Sequence, residues 1–289
     1  MKRNFISLFF IIVILNIITA CDLSSAEDKD NDLVKIGVSS ADGPIWDLLT
    51  EKAKAEGITI EIVELVDWQI PNDAVVNGEI DMNAFQHLAF LSQFNVEKNA
   101  NLVPVGSSFV GPKGLFSEKY GKISEIPDGA SVSISNDPAN MGLDLSLLEA
   151  VGLIKLKDGV GIFGTPEDII KNPKQLEIKA MNAQQTPRSL EDVALAAIYN
   201  GIAMKAGIDP ENLLYENDPL NMEGLPYVNV FAVQSDDVEN ETYKKIAALI
   251  QDPEIKEAYH EDNGGQGEVV DIPLEDLQKT LDQLMEYKK

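Results

Sequence analysis

The sequence predicts an α/β protein built from two lobes, with a ligand-binding cleft between them. Strand and helix patterns alternate from residue 33 almost to the end of the 289-residue chain, and the connections between them are short. The alternation occurs twice, once over residues 33–109 and again from residue 131. Alternation of this kind produces mostly parallel sheets with helices on both faces. Small ligands commonly bind between two such lobes.

Hydrophobic periodicity defines the elements of the first half. Ile58–Leu65 alternates apolar and polar residues, which is typical of a strand with one buried face. Pro71 stands where proline is tolerated, in the first turn of a helix. The predicted strands are Leu33–Val38, Ile58–Leu65, Met82–Phe85 and Leu102–Phe109, and the predicted helices are Trp46–Glu56, Pro71–Asn77 and His87–Phe94.

The second half is predicted from caps as well as periodicity. Asn136-Asp137-Pro138 forms a turn and helix cap, and Thr165-Pro166-Glu167-Asp168 combines a cap, a proline and first-turn acids, so it predicts a helix start. The predicted strands are Ser131–Ile134, Leu176–Ala180 and Tyr227–Val233. The predicted helices are Gly142–Ala150, Leu190–Lys205, Glu241–Ile250, Glu254–Glu261 and Leu274–Tyr287.

The N-terminal segment indicates export and lipid attachment. Lys2 and Arg3 precede the apolar run Phe5–Ile18, which is shorter than the roughly 20 residues of a membrane span but typical of a signal peptide. The run leads into Ile18-Thr19-Ala20-Cys21, which resembles a bacterial lipobox. We therefore predict a signal peptide over residues 1–20, a lipid on Cys21, and a flexible polar tether over residues 21–32. The mature protein would be extracytoplasmic and lipid-anchored to the cell membrane; the alternative is a single-pass anchor with an incidental cysteine.

Composition and motif searches exclude several classes of function. With 48 acidic against 23 basic residues, the formal net charge of −25 disfavours nucleic-acid binding. The single cysteine and the widely separated His87 and His260 predict neither a metal site nor a cofactor. The glycines at 159, 161 and 164 follow a charged segment rather than a buried strand, so we interpret them as turn residues and not as a dinucleotide site. No activated nucleophile or acid–base pair is evident, and we expect a protein that is not an enzyme.

His87 is the most prominent candidate site residue. It opens a predicted helix directly after a predicted strand, at the junction where α/β sheets direct side chains into a cleft. Phe85 and Phe90 lie close to it in sequence, and Trp68 is a further aromatic candidate. Aromatic rings around an imidazole would suit an amphipathic small ligand. The alternative is a structural histidine that bonds the backbone at a helix start.

Short motifs spread along the chain carry a family resemblance. They are Pro71-Asn72, Asp81-Met82-Asn83-Ala84-Phe85-Gln86-His87, Asn136-Asp137-Pro138-Ala139-Asn140, Val151–Gly159, Pro187-Arg188-Ser189-Leu190 and Tyr227-Val228-Asn229. These motifs occur in order over nearly the whole mature chain. Together they resemble the methionine-binding lipoproteins of bacterial ABC importers, the NlpA/MetQ type.

The resemblance implies a fold, a function and partners. The fold would be that of type II periplasmic-binding proteins, with lobe 1 formed by residues 33–111 and 228–289 and lobe 2 by residues 112–227. The function would be that of a membrane-anchored solute-binding lipoprotein, which binds methionine or a related amphipathic molecule between the lobes. Closure of the lobes would then present the ligand to an ABC permease driven by a separate ATPase.

The resemblance also implies a set of ligand-binding residues. Trp68 and Phe90 stand where the family has pocket tyrosines, while Phe85 and His87 match its pocket aromatic and histidine. Asn200 and Asn229 match asparagines that hold the polar end of the amino acid, and Asn140 is expected near the cleft. The full implied set is Trp68, Phe85, His87, Phe90, Asn140, Leu143, Asp144, Asn200 and Asn229.

Leu143 and Asp144 are included because they depart from the family pattern. The family arginine that binds the ligand carboxylate is replaced by Leu143, and Arg188 is the one arginine left after the signal peptide. Loss of one partner of a buried arginine–carboxylate pair costs about 2–5 kcal/mol of binding free energy. Asp144 beside it favours a ligand that lacks a carboxylate there or carries a positive charge. The equal alternative is that a lysine, a water or a backbone amide replaces the arginine.

Two other functions remain open at the level of sequence. The chain could be a surface lipoprotein that acts as an adhesin or sensor on the same fold without transport. It could also be an enzyme on that scaffold, although no motif supports this. A neighbouring permease and ATPase gene would favour transport over the first of these.

Overall fold

The computed structural model describes residues 33–219 and 225–287. The predicted signal peptide, Cys21 and the tether lie outside these residues. In chain order the strands are β1 (Leu33–Val38), β2 (Thr59–Glu64), β3 (Met82–His87), β4 (Leu102–Ser107), β5 (Phe109–Val110), β6 (Lys113–Phe116), β7 (Ser131–Ser135), β8 (Lys155–Leu156), β9 (Ile169–Lys171), β10 (Glu177–Met181), β11 (Leu195–Tyr199), β12 (Leu213–Glu216), β13 (Asn229–Gln234) and β14 (Glu268–Val269).

The α-helices cover the sheets that these strands form. They are α1 (Ile45–Ala55), α2 (Ile70–Val76), α3 (Leu88–Lys98), α4 (Pro138–Ala150), α5 (Asn200–Lys205), α6 (Glu241–Leu249), α7 (Pro253–Asp262) and α8 (Leu274–Tyr287). Helix α4 begins at the predicted cap, and α6 has a cap that was not predicted from the sequence. The Asp137 carboxylate accepts the Asn140 N–H at 2.9 Å at the start of α4, and Asn240 does the same for Thr242 at the start of α6.

Two five-stranded sheets with the same topology form the centres of the two lobes. The order is β2-β1-β3-β13-β4 in the first sheet and β10-β7-β11-β6-β12 in the second. In each sheet the fourth strand of the order, β13 or β6, runs antiparallel to both neighbours. The chain enters the second lobe between β5 and β6 and returns between β12 and β13. This arrangement confirms the predicted fold class, whereas the exact lobe boundaries at residues 111/112 and 227/228 stay a prediction.

One predicted helix is wrong, and the error affects the site. Residues 190–205 were expected to form a single helix, but the structure places strand β11 and then the short helix α5 in this segment. Leu195, Ala196 and Ala197 are fully buried and hydrogen-bond to strands on both sides. Burial at the centre of a sheet therefore outweighs the helix preference of alanine, and a short apolar run does not distinguish the two by periodicity.

The segment around Thr165 also differs from the prediction. The predicted cap is present, because the Asp168 carboxylate accepts the Thr165 N–H at 3.0 Å, but it starts only the 3-10 helix Pro166–Asp168. The chain then enters β9, which pairs with β8. The β-branched pair Ile169-Ile170 favours a strand over a longer helix. The interpretation of Gly159 and Gly161 as turn residues is confirmed by their positive φ angles of 77° and 65°.

No helix among the described residues is long and apolar enough to cross a bilayer.

Candidate ligand-binding site

A cavity of about 430 Å³ lies between the two lobes, within the size range of small-molecule pockets. Both lobes and the first crossing segment contribute to its wall. The lining residues are Ser39, Ser40, Trp68, Phe85, Gln86, His87, Phe90, Gly111, Pro112, Asn140, Gln184, Tyr199, Gly201, Ile202, Lys205, Tyr227, Asn229, Tyr259, Asn263 and Gln266. Six of the residues that the sequence put forward are among them: Trp68, Phe85, His87, Phe90, Asn140 and Asn229.

His87 ends strand β3 and caps helix α3, so its position is fixed by both elements. Its ring Nδ1 accepts the backbone N–H of Phe90 at 3.1 Å. The other nitrogen, Nε2, lies 3.4 Å from Oδ1 of Asn140 in the second lobe. Since Nδ1 is an acceptor, the proton of the neutral ring is assigned to Nε2, which donates toward Asn140. The structural and the functional interpretations of His87 are therefore compatible, because one nitrogen caps the helix while the ring lines the cavity.

The imidazole of His87 is held in its neutral form. It is only 6% exposed. Burial lowers its pKa to about 4, and the Lys113 cation contributes to the shift, while the Asp137 charge and the Asn140 contact oppose it. At neutral pH the ring therefore presents an uncharged, hydrogen-bonding face to the cavity and attracts no anion by charge.

Asn140 connects the two lobes at the cavity wall. Its Oδ1 accepts the Tyr199 hydroxyl at 2.9 Å and faces His87 Nε2. Its Nδ2 donates to the Asp137 carboxylate at 2.9 Å. Two donors share the carbonyl oxygen of Asn140. The second hydrogen of its amide group therefore remains available to a ligand. Asn140 is thus oriented as a donor.

Aromatic rings form the apolar part of the wall around His87. Phe85 and Phe90 meet edge to face with centroids 5.8 Å apart, and His87 meets Phe90 at 6.3 Å and Tyr227 at 5.2 Å in the same way. Edge-to-face contacts fix ring orientations and leave faces available for contact with a ligand. Trp68 is half-buried at the turn before α2 and completes this wall.

The two candidate asparagines lie in different surroundings. Asn229 lines the cavity at the start of β13, directly opposite His87 in the sheet register. Asn200 does not line it: its Nδ2 donates to Glu216 at 2.5 Å and to Gln266 at 2.6 Å. Its neighbours Tyr199 and Gly201 line the cavity instead. The alternation of side chains at the end of β11 turns Asn200 away, which a helix prediction for this segment could not show.

Leu143 is part of an apolar core and does not line the cavity. It is 2% exposed and belongs to the cluster that includes Leu88, Leu91 and Leu281 of the first lobe. The preceding Gly142 allows α4 to approach the segment around Ile162 closely, because a Cβ there would lie 1.9 Å from the carbonyl oxygen of Ile162. Position 143 thus stabilises the contact of α4 with the first lobe.

Asp144 is also buried, and it forms an ion pair with Lys113. Their side chains are 0% and 1% exposed, and the Asp144 carboxylate also accepts the Ser135 N–H at 2.7 Å. Burial raises the pKa of the Asp144 carboxyl, while the Lys113 cation and the bonds from Ser135 oppose the shift. The Lys113 ammonium lies 4.6 Å from the centre of the Tyr199 ring, so the tyrosine separates the pair from the cavity.

Sequence reasoning missed several lining residues of the second lobe and of the returning chain. Tyr199, Gly201, Ile202 and Lys205 were hidden within the predicted helix of residues 190–205. Tyr227 is the first residue of the quoted motif Tyr227-Val228-Asn229, and that motif was the one available signal. Tyr227 is buried and Tyr199 is partly buried, and burial raises the pKa of each hydroxyl, so both are neutral donors in the wall.

Comparison with known proteins identifies the family. The sequence profile of the family described as NlpA lipoprotein matches residues 34–272. The chain belongs to the NlpA lipoprotein family. The predicted resemblance is therefore confirmed over nearly the whole described structure.

Relatives of this NlpA lipoprotein include characterised proteins and solved structures. The D-methionine-binding lipoprotein MetQ of Escherichia coli O157:H7 is 39% identical over 245 residues, which cover 83% of this chain and 89% of that protein. Protein PG110 from Staphylococcus aureus has a TM-score of 0.82 at 40% identity, over 87% of this chain and 99% of that one. The substrate binding protein of a methionine transporter from Streptococcus pneumoniae has a TM-score of 0.76 at 31% identity, over 82% and 95% of the two chains.

The NlpA lipoprotein offers no cluster of metal ligands in the part of the chain that the structure describes. No three His, Cys, Asp or Glu side chains come together there in a way that could hold a metal ion. The cavity combines neutral hydrogen-bonding groups and aromatic rings with one charged residue among its described lining, Lys205. Such a lining can bind and orient a small molecule by shape, burial and hydrogen bonds.

Proposed function

We propose that this NlpA lipoprotein is the solute-binding component of an ABC importer and that its ligand is methionine or a related amphipathic molecule. The ligand binds between the lobes, with its apolar part against Trp68, Phe85 and Phe90. The proposal draws on the names of the relatives, which are methionine-binding lipoproteins and a component of a methionine transporter. The cavity of this chain is consistent with such a ligand in size and lining.

The observation that carries the proposal is the contact between His87 and Asn140 inside the cavity wall. His87 belongs to the first lobe and Asn140 to the second, and their side chains meet at 3.4 Å beside the aromatic wall. A ligand that contacts both residues therefore has a stronger interaction with the closed arrangement than with an open one. Such a difference in affinity is what allows a ligand to shift a two-lobed protein toward closure.

The partners and the location belong to the same proposal. A permease with its ATPase receives the ligand from the closed form, and the lipid on Cys21 keeps the protein at the outer side of the cell membrane. The ligand is transported unchanged, so the protein is not an enzyme. The strong excess of acidic over basic residues would keep the anchored protein soluble and repelled from anionic lipid surfaces.

Uptake measurements in the native organism test this function. Deletion of the gene is expected to reduce uptake of labelled methionine at limiting concentration. The wild-type gene should restore uptake, whereas Cys21→Ala should restore less because the protein is no longer anchored, and Phe85→Ala less because the aromatic wall is reduced. Uptake that is unaffected by the deletion would overturn the transport function.

A further inference from the structure

Position 143 carries a leucine and no guanidinium, so the positive charges near the cavity must come from other residues. Among the described lining residues, Lys205 is the one with a formal charge. Arg188 is exposed, contacts Gln185 at 3.3 Å, and does not line the cavity. Lys113 is neutralised by Asp144 and lies behind the ring of Tyr199. Among the described lining residues, Lys205 is therefore the cation that a ligand carboxylate can contact, and Lys205 lies at the rim of the cavity.

A smaller cavity of about 170 Å³ adjoins the main one at this rim. The two share Ser39, Ser40, Phe85, Lys205, Asn229, Tyr259 and Asn263 as lining residues. The smaller cavity is lined in addition by the carboxylates of Asp42 and Asp262. The rim therefore brings one cation and two anions together around space that is continuous with the aromatic wall.

The charged groups at the rim come from both lobes. Lys205 ends α5 in the second lobe, and Asp262 ends α7 in the first. Their charged atoms are 3.8 Å apart, and the side chains are 44% and 28% exposed. An ion pair of this length and exposure contributes little by itself and exchanges readily for a better partner. The same region is fixed by the short hydrogen bond from Asn200 to Gln266, which also joins the two lobes.

We propose that this rim binds the zwitterionic head group of the ligand, with Lys205 contacting its carboxylate and Asp262, assisted by Asp42, contacting its ammonium group. The proposal rests on the proposed function and specifies its ligand as an α-amino acid whose apolar side chain points toward Trp68 and Phe90. It agrees with the expected alternative that a lysine takes the place of the family arginine.

The two acids determine which ligands fit. A plain carboxylate near Lys205 would be repelled by Asp42 and Asp262, and a plain amine would be repelled by Lys205. A zwitterion satisfies both signs at once, and closure of the lobes brings Lys205 and Asp262 to the same head group. The rim therefore discriminates against ligands that have only one of the two charges.

Calorimetric titration with three probes tests the assignment. The probes are L-methionine, L-methioninamide, which lacks the carboxylate, and 4-(methylsulfanyl)butanoate, which lacks the ammonium group. The wild-type mature chain is expected to bind methionine about tenfold or more tightly than either analogue, as charged hydrogen bonds in a closed site predict. Variants Lys205→Met and Asp262→Asn are compared with Lys279→Met, which removes an exposed lysine of α8 outside this cavity.

The pattern of losses decides between outcomes. Lys205→Met should lower the affinity for methionine about tenfold and leave the affinity for methioninamide unchanged or higher. Asp262→Asn should lower the affinity for methionine but not that for the butanoate. Lys279→Met should match the wild type, and thermal unfolding should show all variants folded. If the wild type binds methionine but both rim variants keep its preference over the analogues, the rim assignment is overturned and the proposed function stands. If the wild type binds none of the three probes, the proposed function is overturned and the rim assignment falls with it.

Discussion

Asn140 Oδ1 lies 3.4 Å from His87 Nε2, across the boundary between the two lobes. The Tyr199 hydroxyl donates to the same oxygen at 2.9 Å, so a single amide group joins a helix cap of the first lobe to strand β11 of the second. His87 and Asn140 are buried, and Tyr199 is partly buried beside them. The arrangement makes this part of the cavity wall an uncharged surface in which the Asn140 oxygen is shared by two donors.

Tyr199→Phe tests the importance of this hydrogen bond. Loss of the hydroxyl removes a donor from Asn140, which leaves the amide less firmly oriented and leaves part of its acceptor capacity unused. We expect methionine affinity to fall about tenfold and the free energy of unfolding to fall by about 1 kcal/mol. Titration calorimetry and urea denaturation measure the two effects.

Tyr215→Phe is the matched control for that variant. Tyr215 lies on β12 in the same sheet but does not line the cavity. The Tyr215→Phe variant should therefore have the same affinity for methionine as the wild type. Equal affinity of Tyr199→Phe and wild type would show that the Tyr199 hydroxyl is not needed to orient Asn140.

The lowered pKa of His87 predicts an acid-dependent loss of stability. The folded protein keeps the ring neutral down to about pH 4, whereas the unfolded chain takes up the proton near the ordinary pKa of about 6.5. Stability is therefore unaffected above pH 6.5 and falls as the pH decreases toward 4. The loss from this group alone reaches about 2–3 kcal/mol near pH 4.5.

Comparison with His87→Gln isolates this effect from other titrating groups. Because glutamine does not titrate, the stability advantage of the wild type over the variant should narrow by about 2–3 kcal/mol between pH 7 and pH 4.5. Urea denaturation of the ligand-free proteins at a series of pH values measures it. If the difference in the free energy of unfolding between wild type and His87→Gln does not change with pH, His87 titrates alike in the folded and unfolded chains.

The buried pair of Lys113 and Asp144 predicts strong coupling between two substitutions. Lys113→Met leaves the Asp144 carboxylate without its counter-ion, at an expected cost of about 3–5 kcal/mol in the free energy of unfolding. The double variant Lys113→Met/Asp144→Leu removes both charges and should recover most of that loss. Denaturant unfolding of the single and double variants gives the coupling energy.

An exposed ion pair supplies the control for this double-mutant cycle. Lys98 lies 3.6 Å from Asp73, and both side chains are about half exposed. Lys98→Met should change stability little, because exposed pairs are screened by water. Additive losses at Lys113 and Asp144 would indicate that the two groups do not act as a pair.

Leu143→Arg tests the position where the family resemblance implies an arginine. The resemblance implies that an arginine here would supply the missing partner of the ligand carboxylate. The structure buries Leu143 in an apolar cluster, so an arginine would place an unpaired cation there. We expect the free energy of unfolding to fall by about 3 kcal/mol or more.

Leu143→Met is the conservative comparison for that substitution. It keeps the volume and should cost less than about 1.5 kcal/mol. Both variants are compared by urea denaturation and methionine titration. A stable Leu143→Arg protein that binds methionine more tightly than the wild type would mean that position 143 faces the cleft.

Much of the fold could be predicted from local pattern. The strand Ile58–Leu65 alternates clearly and occurs as β2, and the predicted cap at Asp137 marks the start of α4. Residues 190–205 could not be predicted correctly, because whether Leu195–Ile198 forms a strand depends on the neighbouring strands β6 and β7. The pairing of strands distant in sequence is not encoded in the periodicity of any one segment.

The site was predictable where a side chain follows directly from an element boundary. His87, Phe85 and Phe90 lie at a strand–helix junction, and this junction opens into the cavity. Asn200 was not predictable, since the direction of its side chain depends on the strand that the sequence did not reveal. Lys113 was not singled out either, because a single lysine gives no sign that the fold will bury it beside Asp144.

The central claim is that the aromatic and amide wall binds a methionine-like amino acid, and calorimetric titration tests it most directly. The mature chain is unfolded and refolded to remove carried-over ligand, and L-methionine is then titrated into the wild type, Trp68→Ala and Phe85→Ala. We predict submicromolar binding by the wild type and affinities at least about tenfold weaker for both variants, because each loses buried aromatic surface. No heat up to millimolar methionine from a folded wild-type chain, or equal affinity in all three proteins, would contradict the account.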